Sequence, residues 1–260
     1  MNKKYQSVFD LVEEAGTRLL PHFGNVETLK HKDAGSDASA LTQLDLDTEK
    51  FLTEGLSKHF PEIGFHGEEF GIQGDKKYFW TLDPIDGTSH FVRGLPFCTV
   101  MVGLIKDGEV IFGLIYDFIK KDFYWTEKGK GAYKNRQRLH VSDRPMNRAY
   151  ISFETNFGIS EALELYKKVS LASTDFRSVN AGWEFAQIAS GKLDGRILLH
   201  PYCSLWDVAP GSLLVAEAGG KVANIGIKTY DVFNRDFMAV NPKVYEFLTQ
   251  GEDALFPIND

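Results

Sequence analysis

Leu82-Asp83-Pro84-Ile85-Asp86-Gly87-Thr88 is the stretch whose reading decides the fold. It follows the apolar run Tyr78-Phe79-Trp80-Thr81-Leu82, which reads as a buried strand entering the middle of a sheet. Pro84 lacks an N–H and has a fixed φ, so the strand is expected to stop there and turn. Asp83 and Asp86 flank the Pro-Ile pair, and two acids at a strand end need something positive between them. Gly87 can take backbone angles closed to other residues and lets a ligand approach the main chain. Thr88 adds a hydroxyl beside backbone N–H groups at a helix-like start, which favour an anion such as phosphate. A divalent cation with a phosphate ester meets both demands. The plain alternative is a strand closed by an Asp-Pro turn and an Asp-Gly turn.

The rest of the chain decides between them. At 260 residues it is long enough for one large domain or two small ones. A hydrophobic share of 43% with 25% charged residues is ordinary for a soluble globular protein. A formal net charge of −7 argues against nucleic acid as a partner. No run reaches transmembrane length, and Met1 to Gln6 leads into an amphipathic pattern, not a signal peptide. Cys98 and Cys203 are far apart and fit no metal-type spacing, as in a reducing cytoplasm.

Tyr5 to Leu20 carries Val8, Leu11, Val12, Ala15 and Leu19 at helical spacing, and Pro21 and Gly24 end it. Residues 29–39 are polar and without period and read as a loop. In it Lys32 is either solvated or reaches toward the phosphate. A second helix is expected over Thr48 to His59, with Asp45 at the loop–helix junction and Asp47 and Glu49 as dipole residues. Ile63-Gly64-Phe65-His66-Gly67-Glu68-Glu69 reads as a short strand ending in two acids, where ligands sit on α/β sheets. Thr99–Lys106, the turn Asp107-Gly108, Glu109–Tyr116, Asp122–Glu127 and Gly131–Lys134 read as an antiparallel meander. From Tyr150 onward strands alternate with helices, as in an α/β layer. The Leu205–Ala218 helix opens with Trp206, read as a core anchor, and Asp207. The organisation expected is an N-terminal α+β part, 1–145, and a C-terminal α/β part, 146–260, in one unit with the active site between them.

Gly67-Glu68-Glu69, then Asp83-Pro84-Ile85-Asp86-Gly87-Thr88, then Trp206-Asp207-x-Ala209-x-Gly211 resemble the inositol monophosphatase family in order and spacing, over nearly the whole chain. The resemblance implies an α/β (α+β layered) fold, an α-β-α-β-α sandwich of the inositol monophosphatase / fructose-1,6-bisphosphatase type. It implies a cytoplasmic, homodimeric, lithium-sensitive phosphomonoesterase with two or three Mg²⁺ ions per site and a small phosphorylated metabolite as substrate. Glu68, Asp83 and the Ile85 carbonyl would hold the first ion, and Asp83, Asp86 and Asp207 the second. Asp45 and Glu68 would hold a third through water. Thr88, bonded toward Asp45, would orient the attacking water, and the Gly87 and Thr88 N–H groups would bind phosphate. Asp86, Gly87, Thr88, Ser89, Gly182, Glu184, His200 and Asp207 are the candidates to meet substrate. Two metals about 3.5–4 Å apart stabilise the attacking and leaving oxygens of such a reaction. An all-carboxylate set selects Mg²⁺ over softer ions.

Two departures fall in the leaving-group pocket. Inositol-specific members usually carry a Glu seven residues before the Trp-Asp aspartate, where this chain has His200. The common Gly-Ser/Thr-Ala reads Asn180-Ala181-Gly182, followed by Trp183-Glu184. His200 either packs or reads hydroxyls or a second anion, and Glu184 is a candidate carboxylate for a polyol or an amine. Inositol 1-phosphate is therefore the default substrate, with histidinol phosphate, fructose 1,6-bisphosphate and nucleotide 3′-phosphates as alternatives. Ser89-His90 differs from the Lys/Arg-containing turn of the histidinol and nucleotidase branches. A non-catalytic phosphate- or metal-binding module is the contrasting class, disfavoured because no metal ligand is missing.

Overall fold

The computed structural model describes residues 3–26, 30–31, 40–227 and 229–258. Two sheets alternate with three helical layers. Helices α1 (Gln6–Leu19) and α2 (Gln43–His59) pair on the outer face of the first sheet. They bury Val8, Val12, Leu52 and Leu56 against Trp80, Val102, Leu104 and Phe112. The pair is joined through a short ladder of β1 (Lys30–His31) and β2 (Ala40–Leu41). So part of the expected 29–39 loop is strand. Lys32 and its proposed reach lie outside the described residues.

The first sheet is built from β3 (Gly64–Gly67), β4 (Gly71–Gln73), β5 (Tyr78–Asp86), β6 (Thr99–Lys106), β7 (Glu109–Asp117), β8 (Asp122–Glu127), β9 (Ala132–Lys134) and β10 (Gln137–Arg138), in the order β10-β9-β8-β7-β6-β5-β3-β4. From β6 to β9 it is the expected meander, which β5 and β10 extend at its two ends, while β3 runs parallel to β5. The second sheet comprises β11 (Tyr150–Thr155), β12 (Thr174–Arg177), β13 (Gly195–Leu199), β14 (Lys221–Asn224) and β15 (Phe237–Val240), in the order β12-β11-β13-β15-β14. Helices α5 (Ala181–Ala189) and α6 (Leu205–Glu217) lie between the sheets, with Phe185, Val208 and Leu214 packed on Met101 and Ile115 of one and Leu198 and Phe237 of the other. Helices α4 (Ser160–Ala172) and α7 (Pro242–Thr249) cover the far face of the second sheet, burying Ala162, Val169, Val244 and Leu248. This is the α-β-α-β-α order. No described helix is long and apolar enough to cross a membrane.

Small residues let α6 sit close. A side chain at Gly113 would come within 2.6 Å of the Pro210 carbonyl, and Gly103 also faces Pro210. At the far end of α6, Glu217 accepts from the N–H groups of Gly129 and Gly131, both at 2.7 Å. The helix is thus fixed to the first sheet along its length, with Asp207 in its first turn.

Three expectations are corrected. Pro84 does not end β5, which continues to Asp86 with an irregularity between Asp83 and Asp86 in its pairing with β6. A proline is tolerated there because a bulge asks for no ladder N–H. Helix α2 starts at Gln43, five residues earlier than expected, because Thr42 and Asp45 form a reciprocal cap. Trp206 is part-exposed, its ring edge-on to His66 at 5.4 Å, and is not a core anchor.

Candidate active site

The bulge in β5 gives the site its form. Side chains three apart on a regular strand point to opposite faces. Here Asp83 pairs with Met101 and Asp86 with Thr99, so three steps on β5 match two on β6. The extra residue brings both acids to one face. Asp207 reaches them from the first turn of α6, where Ser204 caps the helix and donates its N–H back to Asp207 Oδ2. Asp83, Asp86 and Asp207 offer ligand oxygens that all lie within 4.8 Å of one another.

Each acid is fixed from behind. Asp86 Oδ2 accepts from Thr99 Oγ1 and from the Gly182 N–H, both at 2.8 Å, leaving Oδ1 for a ligand. A Cβ on Gly182 would stand 2.7 Å from Asp86 Oδ2 and closer still to Thr99 Oγ1, so glycine is required by contact. Glu68 follows β3, its N–H donating to the Leu82 carbonyl at 3.1 Å, and its charge reaches Asp83. Its turn is held by Glu49, whose buried carboxylate accepts from the N–H groups of Glu69 (2.7 Å) and Phe70 (3.0 Å). A Cβ on Gly67 would collide with that carboxylate. Glu49 is therefore a positioning residue that helix-dipole reasoning missed.

Gly87 takes φ 87°, and a Cβ there would meet Asn180 Nδ2 and the Phe97 carbonyl at 2.5 Å. It opens the short helix α3 (Thr88–Val92), whose first N–H groups have no partner within the helix. Thr88 Oγ1 lies 2.8 Å from Asp45 Oδ1 and 2.9 Å from the Ile85 carbonyl, with one proton to give between them. The other Asp45 oxygen accepts from Thr42 N–H (2.8 Å) and Oγ1 (2.6 Å). Ser89 is part-buried on the same turn.

Burial first, and then the neighbouring charges of Glu68, Asp86 and Asp207, raise the Asp83 carboxyl well above its ordinary range. Burial and the Asp207 charge push Asp86 up to about 7, and burial raises Asp207. Asp83 Oδ1 is buried without a hydrogen-bond partner among the described residues. Mutually repelling, oxygen-only ligands, two of them buried, with an orphaned acceptor fit a hard divalent cation.

Two candidates for the leaving-group pocket are engaged inside the protein, and for a third, His200, one of its two readings falls away. Glu184 is fully buried and ion-paired with Arg196; it also accepts from Ser152 Oγ (2.5 Å) and the Val179 N–H (2.6 Å). Both its oxygens are committed inside the protein, so it does not present a carboxylate to a polyol or amine. The Gly182 N–H is committed to Asp86. His200 is not packed: its side chain is 44% exposed, its backbone has φ 49°, and its N–H donates to Asp236 Oδ1 at 2.6 Å.

The chain resembles known proteins over most of its length. Residues 2–251 match the model of the inositol monophosphatase family. An inositol-1-monophosphatase of Caulobacter vibrioides is 32% identical over 235 residues, 86% of this chain and 91% of that protein. A fructose-1,6-bisphosphatase/inositol-1-monophosphatase of Aquifex aeolicus is 30% identical over 256 residues, 95% of each. The crystal structure of the extragenic suppressor protein SuhB from Bartonella henselae superimposes with a TM-score of 0.82 at 29% identity, over 91% of this chain and 93% of that one.

Proposed function

Since the chain belongs to the inositol monophosphatase family, a metal-dependent family of phosphoric monoester hydrolases, we propose that it is a Mg²⁺-dependent phosphatase of a small polyol or sugar phosphate, with inositol 1-phosphate as the default substrate. The observation that carries this reading is the convergence of buried Asp83 and Asp86 with half-buried Asp207, close enough to share a cation, beside the Gly87-Thr88 turn.

Glu68, Asp83, the Ile85 carbonyl, Asp86 and Asp207 would hold the ions, with Asp45 and Glu68 serving a third. Mg²⁺ bound there would supply positive charge to the attacking and leaving oxygens and make the bound water more acidic. The chain's own groups do the positioning. Thr88 donates to Asp45, so its oxygen lone pairs remain to accept a hydrogen bond from water and orient it. The Gly87 and Thr88 N–H groups take phosphoryl oxygens. Thr99 and the Gly182 N–H keep Asp86 from rotating out of the site. Water adds to phosphorus, the ester P–O bond breaks, and the leaving oxygen departs as an alcohol after gaining a proton.

Substrates other than inositol 1-phosphate stay open because His200 occupies the place of the usual Glu and Gly182 offers no free N–H. A homodimer, lithium sensitivity and a cytoplasmic location belong to the same proposal; the free Cys98 and Cys203 suit a reducing compartment. The test is phosphate release from a panel of esters, with metal-stripped protein, with Mg²⁺ restored, and with Li⁺ added. Full turnover by the stripped protein would refute the reading.

A further inference from the structure

Three consecutive N–H groups lead into α6, and each is donated to a carboxylate. Tyr202 and Cys203 donate to Glu154 Oε1 at 3.0 and 3.1 Å, and Ser204 donates to Asp207 Oδ2. One short run of backbone is therefore pinned between Glu154 and Asp207. Glu154, on β11, is in turn ion-paired through Oε2 with Arg196 of β13.

Arg196 is fully buried and holds a second carboxylate, Glu184, on its other terminal nitrogen. The arrangement there repeats the first. Glu184 Oε1 accepts from the N–H groups of Val179 (2.6 Å) and Asn180 (3.3 Å), which lead into α5. Asn180 caps that helix, and the Gly182 N–H two residues on donates to Asp86. One planar guanidinium thus ties together the α6 entrance that carries Asp207 and the α5 entrance that supports Asp86, and its rigid fork fixes their relative orientation. A buried ion pair of this kind is weak evidence for stability, because desolvation offsets the Coulombic gain. What it supplies is geometry. Asp83, Asp86 and Asp207 lie within 4.8 Å and repel one another, so a restraint is needed to keep them together.

Resting on the phosphatase reading, we infer that Glu154 is a positioning residue for the metal centre: through Tyr202, Cys203 and Ser204 it sets where Asp207 stands relative to Asp86, and with that the affinity for the cation these acids share. Both Glu154 oxygens are engaged inside the protein, so it acts through Asp207 alone. Arg196 is the anchor that keeps its carboxylate in place.

Calorimetric titration with Mg²⁺, with no ester present, tests this. Loss of a group that orients a metal ligand weakens metal binding by about 10–100-fold. Glu154→Ala removes the acceptor for Tyr202 and Cys203 and is expected to raise the Mg²⁺ dissociation constant by that much. Glu154→Gln keeps an acceptor oxygen but loses the charge that Arg196 holds, and is expected to show a smaller rise, of about threefold or more. Val169→Ala truncates the core on the far face of the second sheet, so it should lower Tm without moving the dissociation constant, which separates stability from positioning. In turnover, excess Mg²⁺ should restore kcat in Glu154→Gln, with KM for inositol 1-phosphate unchanged. Glu154→Gln decides the matter should Glu154→Ala fail to fold. A Mg²⁺ dissociation constant in Glu154→Gln equal to that of wild type, or an equal rise in Val169→Ala, would overturn this inference and leave the phosphatase reading intact. A wild-type protein that binds no Mg²⁺ would remove both.

Discussion

Gly182→Ala is the sharpest test of how the acidic centre is held. The added methyl would lie 2.7 Å from Asp86 Oδ2, 3.0 Å from Met101 Sδ and closer still to Thr99 Oγ1. Ordinary contact begins near 3.4 Å, so α5 or Asp86 must move by roughly 1 Å, and such overpacking costs about 1–3 kcal/mol. The movement also stretches the Gly182 N–H bond to Asp86, a bond to a charged group worth about 1.5–3 kcal/mol. A misplacement of about 1 Å at a reacting centre costs about 10²-fold in rate. The expected outcome is a fall of about that size in kcat/KM, a raised Mg²⁺ half-saturation, and a Tm lower by several degrees. Mg²⁺ titration of phosphate release and thermal melting check it. Pairing with Thr99→Ala completes a cycle: removing Oγ1 makes room for the methyl, so the two changes must be non-additive. Kinetics within twofold of wild type in Gly182→Ala, or strict additivity in the cycle, would refute the reasoning.

Glu184→Gln should lower Tm, because it leaves Arg196 buried with half its neutralising charge gone, at a cost of about 3–5 kcal/mol. KM should change little; a large rise in KM at unchanged Tm would return Glu184 to the substrate. Thr88→Val should reduce kcat by about 10²-fold or more with little change in KM, since it removes the hydroxyl proposed to orient water; single-substrate kinetics decide this. The raised carboxyls also set a pH dependence without metal. Asp86 is lifted from 3.8 to about 7, so the stability its protonated form contributes is fully present below pH 3.8 and is lost as pH rises through about 7. The Tm of EDTA-treated protein should therefore fall between pH 5 and 8, less steeply in Asp86→Asn, and Mg²⁺ should raise Tm more at pH 8 than at pH 5. A metal-free Tm that holds level across that window would contradict it.

The first sheet was legible because β6, β7 and β8 alternate or run apolar between an Asp-Gly turn and polar breaks. The acid motifs were legible because each ends an apolar run or opens a helix. What escaped depends on partners distant in sequence. Pro84 reads as a stop until β6 supplies a bulge for it. Glu49 reads as a helix-dipole acid and Glu184 as a ligand-facing one until a turn 20 residues on and Arg196 on β13 claim them. The start of α2 was written in Thr42 and Asp45, but the acid doubled as a candidate ligand and hid its capping role. Strands β4, β10 and β14, with three, two and four residues, are too short to carry a period.

Helix α6 bears on how the protein opens and shuts. With Pro210 seated on two glycines of the first sheet and Glu217 hooked over the turn at Gly129, it is a strut bolted at both ends. Asp207 rides on that strut, so its separation from Asp83 and Asp86 cannot be tuned by swinging one half of the molecule against the other. Ions and products must exchange by way of the surface loops, while the cage itself keeps its dimensions.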